Sequence, residues 1–378
     1  METAMKVLKV GIVGFGYMGK MHSLCYSNIP YYYKTDIHPE LYAVASSKSP
    51  GDIPVAFEKY YATADELVDD PEVDIIDICS PNYMHKDLLL KAIANNKYIY
   101  CEKPLAANYS DAEEIMDALR KYGYNKTNRV VFEYRFIPAI IRAKQIIKSG
   151  GIGRIINFNF RYYGSEFLDP ERPISWQSTK ALSGGGVLYA LGTHSIDLIR
   201  FLIGDISSVF AQKETYFKKR PLKNSPGQFA DVGIEDLVNA QMSCVEGAVG
   251  TLQLSQVAAG CGTDFTFEIY GEKGALRFNH ANANVLQYYS NLEDKSPCGG
   301  FDGWKSIETT QKYGGQAVFP PPRVTISWIR YHIASVYDFL CAISEGRNSA
   351  PDLKDGYMVS RVTDAIYRSC VSGHIEIV

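Results

Sequence analysis

Residues 9–19 read KVGIVGFGYMG, an apolar run that leads directly into a glycine-rich turn. The spacing Gly14-x-Gly16-x-x-Gly19 follows a predicted buried strand and opens a predicted helix, the context in which this motif indicates a dinucleotide site. The first glycine allows a tight bend, the second lets the backbone approach a pyrophosphate, and the third lets the helix pack on the sheet. The N–H groups at the helix start attract phosphate charge. The turn residues predicted to bind the cofactor are Gly14, Phe15, Gly16, Tyr17 and Met18.

The rest of the first third of the chain alternates short apolar runs with helical segments. Strands that alternate with helices predict a parallel sheet that is covered on both faces. We therefore expect an α/β Rossmann domain over residues 1–135. The predicted strands are residues 6–13, 41–46, 73–79, 97–101 and 129–133, and the predicted helices are residues 17–27, 64–68, 85–95 and 110–122.

Beyond residue 135 the pattern changes to strands with period-two alternation. In RIINFNFRYY, residues 154–163, the side chains of Ile156, Phe158, Phe160 and Tyr162 would share one face. We therefore expect residues 136–378 to form an α+β domain with an open, mainly antiparallel sheet. Its further predicted strands are residues 235–244, 249–257, 264–270 and 274–279, and its predicted helices include residues 138–148, 329–345 and 355–371.

The bulk composition excludes several classes of function. A chain of 378 residues predicts two domains, and a formal net charge of −3 creates no field that would recruit nucleic acid or an anionic membrane. No apolar window reaches the length of a membrane span. The eight cysteines form no CxxC pair and the seven histidines are dispersed, so we expect no metal site. Reduced cysteines in a long chain favour a cytoplasmic location.

The end of the second predicted strand bears on the choice between NAD and NADP. An acidic residue there would bind both ribose hydroxyls of NAD and repel the 2′-phosphate of NADP. This chain has Ser46, Ser47 and Lys48 instead, and two hydroxyls with an ammonium group could hold a 2′-phosphate. The alternative is that Lys48 is a solvated loop residue. We assign all three residues to cofactor binding, with NADP favoured over NAD.

Two loops follow the carboxyl ends of predicted strands, where ligands of such sheets bind. They read SPNYMH at residues 80–85 and EKP at residues 102–104. Proline stiffens both loops, so Lys103 is presented to the crevice on a rigid backbone. A lysine there can donate a hydrogen bond to a substrate oxygen, and desolvation would lower its pKa towards a useful range. The alternative is that Lys103 pairs with a surface acid.

Seven segments of the chain occur in the order found in the Gfo/Idh/MocA family, which is named after glucose–fructose oxidoreductase and inositol dehydrogenase. The resemblance covers nearly the whole chain, and the combination of EKP with a GxHxxD helix is specific. It implies a Rossmann domain, an α+β domain whose exposed sheet face commonly forms dimers or tetramers, and NAD(P)-dependent chemistry on a sugar or polyol hydroxyl. The segments are KVGIVGFGYMG, SPNYMH, CEKPLA, FEYRFIPAI, SGGIGRI, GGGVLYALGTHSIDL and EIYGEKGALRF.

The resemblance also implies roles for individual residues. The family's catalytic lysine corresponds to Lys103, and its catalytic histidine, on the helix after the GGG run, corresponds to His194. Other matching positions lie near the nicotinamide and its ribose in relatives, or in stretches that line the cleft. The cofactor-binding residues assigned in this way are Ser80, Pro81, Asn82 and His85 of SPNYMH, Glu102 and Lys103 of EKP, Arg135 of FEYRFIPAI, and Trp176.

The GGGVLYALGTHSIDL segment also departs from the family. Many relatives have an aspartate four residues before the histidine, one helical turn away, where this chain has Ala190. Asp197, three residues after His194, is on the same side but can pair with Arg200. We expect the three glycines at 184–186 to let the chain turn closely past the cofactor.

We therefore predict an NAD(P)-dependent oxidoreductase that transfers a hydride between nicotinamide and a sugar or polyol, with Lys103 and His194 in proton transfer. Two alternatives remain. One is a redox-neutral, glycoside-cleaving enzyme that retains NAD, and the other is a dinucleotide-binding regulator without catalysis. We expect a small-molecule sugar or polyol as the partner and a homodimer or homotetramer.

Overall fold

The structure is a computed structural model that describes residues 6–294, 296–310 and 317–378. These residues divide into two compact units. Each unit has its own sheet and its own apolar core. Among the described residues, the first unit comprises residues 6–136, 317–321 and 327–360, and the second comprises residues 137–294, 296–310, 322–326 and 361–378.

The first unit contains a six-stranded, fully parallel sheet with the strand order β3-β2-β1-β4-β5-β6. The predicted Rossmann-type parallel sheet is thereby confirmed. Its strands are β1 (Lys6–Val13), β2 (Ile37–Ala45), β3 (Lys59–Tyr61), β4 (Ile75–Ile78), β5 (Tyr98–Glu102) and β6 (Asn128–Val131). The intervening helices are α1 (Tyr17–Tyr32), α2 (Ala64–Asp69), α3 (His85–Ala94) and α4 (Tyr109–Lys121).

The strand order reverses at β1, which has β2 on one side and β4 on the other. A crevice beyond the carboxyl ends of the strands at such a reversal is where α/β sheets bind their ligands. Gly14 follows β1 directly, and the loop that begins at Cys79 follows β4. The topology therefore places the glycine-rich turn and the SPNYMH loop on the two sides of one crevice.

The second unit contains a nine-stranded sheet with the order β16-β15-β14-β13-β7-β12-β11-β8-β17, and a two-stranded hairpin, β9–β10. Among the described strands of the nine-stranded sheet, only β7 and β12 pair in parallel, so the predicted mainly antiparallel sheet is confirmed. Its strands are β7 (Ile155–Tyr163), β8 (Ile206–Glu214), β9 (Lys219–Leu222), β10 (Ser225–Asp231), β11 (Leu237–Cys244), β12 (Val249–Ser255), β13 (Asp264–Gly271), β14 (Gly274–Asn279), β15 (Val285–Ser290), β16 (Lys305–Glu308) and β17 (Glu376–Ile377). Its helices include α5 (Pro138–Lys148), α6 (Lys180–Ser183) and α7 (Thr193–Leu202).

One face of the nine-stranded sheet is covered and the other is polar. On β7, Phe158, Phe160 and Tyr162 are buried as the alternation predicted. Ile156 differs, because it is 51% exposed. A register shift between Tyr270 and Gly271 interrupts the β13 ladder opposite this start of β7, so the alternation begins only after it.

The last two helices are α8 (Trp328–Glu345) and α9 (Leu353–Ser372). Helix α8 belongs to the first unit, although its residues lie in the range 136–378 that the sequence-based division gave to the second domain. The reason is its apolar stripe, which includes Ile333, Val336 and Leu340 and shares the core of α1 and β1. Helix α9 begins in the first unit and ends in the second.

Two further observations concern the whole described chain. All eight cysteines are free thiols, and five of them are at least partly accessible. Among the described residues, none of the helices has the length and apolar character that crossing a membrane requires.

Candidate active site

The glycine-rich turn has the geometry that a dinucleotide requires. Gly14 has a φ of +90°, and a Cβ built on it would lie 2.9 Å from the carbonyl oxygen of Cys79. A Cβ on Gly19 would lie 2.1 Å from the carbonyl oxygen of Gly14, so only glycine permits this packing of α1. Around Gly16, by contrast, nothing lies within 4 Å of such a Cβ. The open backbone at Gly16 is the approach that a pyrophosphate needs.

The start of α1 adds hydrogen-bond donors to this turn. No side chain caps the helix at Gly16, and its first turn contains no acidic residue, so its N–H groups face an anion without competition. Tyr17 is 74% exposed and Met18 is half-buried beside it. Phe15 is buried and packs edge-on against Phe57, with 5.8 Å between ring centroids. The Phe15 side chain therefore anchors the turn, and the backbone of the turn is the part available to a ligand.

The three residues assigned to the ribose follow directly after β2. Ser47 is exposed, and Ser46 and Lys48 are half-buried. The backbone N–H of Lys48 donates a hydrogen bond to Ser46 Oγ over 3.1 Å, which fixes this short turn. The position offers hydroxyl groups and one ammonium group, as the sequence predicted.

His85 ties the two loops of the crevice to each other. Its Nδ1 lies 2.8 Å from the carbonyl oxygen of Pro104, and its Nε2 lies 2.9 Å from that of Ser80. Burial lowers the pKa of His85, although the bonds to the two carbonyls oppose this. The imidazole is fully buried, so its position braces the SPNYMH and EKP loops from below. Pro81, Asn82 and Lys103 are half-buried on these loops.

A buried ionic chain lies beneath the EKP loop. His22 Nδ1 lies 2.9 Å from Asp77 Oδ1, and His22 Nε2 lies 3.1 Å from Glu102 Oε1. Burial opposes the charge on His22, but the charges and hydrogen bonds of Asp77 and Cys79 together outweigh it and raise the pKa of His22 well above its usual value. Burial likewise opposes the charge on Glu102, but the hydrogen bond from His22 lowers the pKa of that carboxyl. Glu102 is therefore ionised, and its Oε2 accepts the backbone N–H of Lys103 over 3.1 Å.

A second pair of titratable groups lies beside this chain. Glu133 follows β6, and its Oε1 lies 3.7 Å from Nε2 of His332 on α8. Burial and the charge of Glu102 raise the pKa of Glu133 to about 8. Burial and the charge of His22 lower the pKa of His332 to about 3. Both groups are therefore neutral at neutral pH, and the pair is not an ion pair despite its short separation.

Arg135 is buried on the short 3₁₀ turn Glu133–Phe136. Its Nη2 lies 3.2 Å from Asp355 Oδ1, near the start of α9. Asp355 Oδ2 in turn accepts the backbone N–H of Asp352. The guanidinium thus fastens the chain after β6 to the start of α9.

In the second unit, His194 is buried near the start of α7. A π-helical turn, Leu188–Gly192, comes directly before it. The π-helical turn contains Ala190, which is exposed. Arg200 forms an ion pair with Asp205 over 2.8 Å.

A buried carboxylate fixes the chain that leads into the π-helical turn. Glu235 Oε1 accepts N–H groups from Gly186 at 3.0 Å and Leu188 at 3.1 Å, and the hydroxyl of Tyr367 at 2.9 Å. A Cβ on Gly186 would lie 1.9 Å from the carbonyl oxygen of Glu235, and one on Gly185 would lie 1.9 Å from the Tyr367 hydroxyl. Gly185 and Gly186 therefore make room for Tyr367 and Glu235, and the close passage of residues 184–186 by the cofactor stays a prediction.

The predicted site residues thus fall into two groups. The glycine-rich turn, the residues after β2, the SPNYMH and EKP loops and Arg135 belong to the first unit. Trp176, which is 37% exposed on a 3₁₀ turn, and His194 belong to the second.

Sequence reasoning missed the residues that support these loops. Most of them carry titratable groups at buried positions, and a buried carboxylate beside a buried histidine is uncommon without a purpose. His22, three residues after Gly19 on a helix that faces the sheet, could have been noticed. The missed residues are His22, Asp77, Glu133, Glu235, Trp328, His332 and Tyr367.

Comparison with known proteins gives two matching family descriptions. "Oxidoreductase family, NAD-binding Rossmann fold" matches residues 8–127, and "GFO/IDH/MocA C-terminal domain" matches residues 140–277. The two matches together cover more than half of the chain and correspond to its two types of sheet.

Individual relatives support the same grouping. Levoglucosan dehydrogenase of Pseudarthrobacter phenanthrenivorans is 32% identical over 390 residues, covering 97% of this chain and 96% of the relative. Inositol 2-dehydrogenase of Salmonella typhimurium is 24% identical over 384 residues, covering 98% and 96%. A solved structure of levoglucosan dehydrogenase in complex with NADH and L-sorbose superposes with a TM-score of 0.93 at 32% identity, covering 99% of each chain.

Proposed function

The chain belongs to the Gfo/Idh/MocA family of oxidoreductases, and we propose on this basis that it is an NAD(P)-dependent dehydrogenase of sugars or polyols. The observation that carries the proposal is the position of Lys103. It lies on a stiff loop at the carboxyl edge of the parallel sheet, beside an ionised Glu102 and in the same unit as a turn that fits a dinucleotide. The nicotinamide, when bound, accepts or supplies the hydride.

The residues of the first unit hold the cofactor in this proposal. The backbone of Gly14–Met18 and the N–H groups of α1 bind the pyrophosphate. Asn82 and Glu102 bind the nicotinamide half of the cofactor. His85 holds their loops in place through its contacts with two backbone carbonyls. Arg135 is the last cofactor-binding residue that we assign in the first unit, and Trp176 is the one that we assign in the second.

Lys48 selects between the two dinucleotides. We place its ammonium group, with Ser46 and Ser47, at the 2′ position of the adenosine ribose, which favours NADP. Replacing Lys48 with alanine is expected to weaken NADP binding by about tenfold, the worth of one charge-assisted contact of roughly 1.5 kcal/mol, with little change for NAD. Equal losses of NADP and NAD affinity would contradict the placement of Lys48 at the 2′ position of the ribose.

Lys103 and His194 handle the substrate proton. A hydroxyl oxygen that loses its proton as the hydride leaves needs a donor aimed at the developing charge. Lys103 supplies that donor, and His194 accepts or returns the proton as the general acid/base. In the second unit, the contacts of Glu235 with Gly186 and Leu188 fix the turn from which the His194 helix begins.

The substrate is a polyhydroxylated ring of monosaccharide size. This class rests on the named relatives, a levoglucosan dehydrogenase and an inositol 2-dehydrogenase. We also propose a homodimer or homotetramer formed through the polar face of the nine-stranded sheet, on which Asn159, Thr251 and Gln253 lie side by side. Light scattering of the purified chain tests this, since a monomer at working concentration would contradict it. The cytoplasm is the proposed location, to be tested by fractionation of the source cells.

The functional test is a panel of sugars and polyols assayed with NAD⁺ and NADP⁺ by the absorbance of the reduced nicotinamide. Levoglucosan, sorbose and inositol belong on the panel. Net cofactor reduction with at least one of them supports the proposal. Turnover of a substrate without net reduction of the bound cofactor would support the redox-neutral, glycoside-cleaving enzyme instead of the dehydrogenase. Cofactor binding without any turnover would support the non-catalytic regulator.

A further inference from the structure

Glu133 is a carboxyl group that the proposed chemistry does not use, and it is buried beside the groups that the chemistry does use. Its side chain is 7% exposed. Glu102 at the end of β5 and Lys103 directly after it lie close enough for their charges to act on the Glu133 carboxyl. From α8, the Trp328 indole donates a hydrogen bond to it, and His332 lies 3.7 Å away.

The buried groups around Glu133 carry charges of both signs. His22 on α1 is a buried cation between Asp77 on β4 and Glu102, so two negative charges and one positive charge are fixed beneath the loop. His332 is neutral, is 1% exposed, and has no hydrogen-bond partner for either ring nitrogen among the described residues. It therefore brings no charge that would hold Glu133 in its ionised form.

Glu133 is thus the member of the cluster whose charge can change near neutral pH. The remaining charge beside it is that of Lys103, which favours the carboxylate. A further positive charge placed in this crevice would favour the carboxylate as well. The oxidised nicotinamide ring carries such a charge, and the reduced ring does not.

We propose that Glu133 stores the proton released by the substrate, so that it is ionised with the oxidised cofactor and protonated with the reduced one. This inference rests on the proposed function. As the C–H electron pair leaves the substrate as hydride, its O–H proton enters the relay formed by His194 and Lys103, and one proton leaves that relay from the Lys103 ammonium to the Glu133 carboxylate. The substrate becomes a carbonyl compound. The nicotinamide loses one positive charge and Glu133 loses one negative charge, so the charge of the closed site is unchanged.

The burial of Glu133 favours holding the proton over releasing it to solvent. Glu133 and His332 are both buried, and the Glu133 carboxyl lies 3.7 Å from His332 Nε2 on α8. A proton held there stays available for the reverse reaction while the site is closed. Glu133 acts through Lys103, so it is a proton-storing residue and makes no contact with the reacting atoms.

The test is proton release on cofactor binding, measured by calorimetry in two buffers of different ionisation enthalpy. It uses the full chain without any sugar. NAD⁺ and NADH are compared, because the 2′-phosphate of NADP titrates in the same pH range. At about one pH unit below the Glu133 pKa of about 8, we expect NAD⁺ binding to release up to about one proton and NADH binding to release none.

Three variants make the test specific. Glu133→Gln should abolish the NAD⁺-linked release, while Glu114→Gln, which removes an exposed carboxylate that pairs with Lys86, should retain it. Trp328→Phe removes the indole hydrogen bond that lowers the pKa of Glu133, so the release should move to higher pH. If Glu133→Gln does not fold, the pH at which Trp328→Phe releases the proton decides whether Glu133 is its source.

Equal proton release with NAD⁺ and NADH, or release that persists in Glu133→Gln, would overturn the proton store. These outcomes are separate from a failure of the proposed function, which is measured by the sugar panel. A chain that shows Glu133-dependent release but oxidises no sugar would reject the dehydrogenase, and with it the storage of a substrate proton, while the link between Glu133 and the cofactor charge would stand.

Discussion

His22 Nε2 lies 3.1 Å from Glu102 Oε1, while its other ring nitrogen lies 2.9 Å from Asp77 Oδ1. One buried cation therefore holds two buried carboxylates, and one of them, Glu102, accepts the backbone N–H of Lys103. The loop that carries the proposed catalytic lysine is fixed from below by charge, in addition to the stiffness given by Pro104.

Removing this cation should destabilise the first unit. His22→Gln leaves Asp77 and Glu102 buried without a positive partner, and breaking a buried pair in this way costs about 3–5 kcal/mol. Urea unfolding measures the loss. His38→Gln, an exposed histidine on β2 of the same unit, is the matched control and should change stability little. Equal stability of the two variants would contradict a charged His22.

Lys103 and His194 should each be required for turnover. We expect Lys103→Ala and His194→Ala to lower kcat by about a hundredfold or more, the contribution of a positioned acid/base group. Lys91→Ala, on the surface of α3, serves as the control because its ammonium pairs only with exposed carboxylates that the structure describes, Asp65 and Asp69. Steady-state rates on the best sugar of the panel provide the measurement. Near-normal turnover in both variants would refute the role assignment.

Gly186 should tolerate no side chain. A Cβ there would lie 1.9 Å from the carbonyl oxygen of Glu235, so Gly186→Ala must move backbone and should cost about 3 kcal/mol, the upper end for overpacking. Because the chain leads into the His194 helix, kcat should fall as well. Gly233→Ala is the control, since its Cβ would meet only Lys180 Cβ at 3.7 Å. Thermal unfolding and kcat of both variants check this, and a fully active, stable Gly186→Ala would contradict it.

Glu133 should make stability fall as pH rises. Its pKa is about 8 in the folded chain against an ordinary value of 4.5, so between these values the folded state holds a proton that the unfolded state has lost. The unfolded state binds fewer protons, and the free energy of unfolding therefore decreases with pH in this window. Glu133→Gln should show a flatter curve of unfolding midpoint against pH, with Glu114→Gln parallel to the wild type. Parallel curves for all three proteins would argue against a raised pKa.

The sequence alone predicts those parts of the fold that depend on residues close together in the chain. The glycine spacing at 14–19 and the alternation of strands and helices predict the Rossmann sheet, because a buried strand, a tight turn and a helix are local features. The period of β7 likewise predicts its buried face from Phe158 to Tyr162. The short or partly exposed strands β3, β9 and β16 have no such apolar period and were not predicted.

The sequence alone does not predict contacts between residues that are far apart in the chain. The helical period of α8 predicts a helix at 329–345, but nothing in it indicates that its apolar face covers α1 of the first unit. Glu133, Trp328 and His332 therefore come together only in the fold. The π-helical turn before His194 is a similar case, since it depends on the contacts that Glu235 makes with Gly186 and Leu188.

The central claim, hydride transfer from a sugar carbon to nicotinamide with Lys103 and His194 in proton transfer, is tested most directly with deuterium. The sugar that reacts fastest in the panel is deuterated on carbon and incubated with the oxidised cofactor in ordinary water, and the reduced cofactor is examined by NMR. The account predicts one deuterium at nicotinamide C4 for each carbonyl product, formed about a hundredfold more slowly by Lys103→Ala and His194→Ala. Carbonyl product or reduced cofactor formed without deuterium at C4 would contradict it.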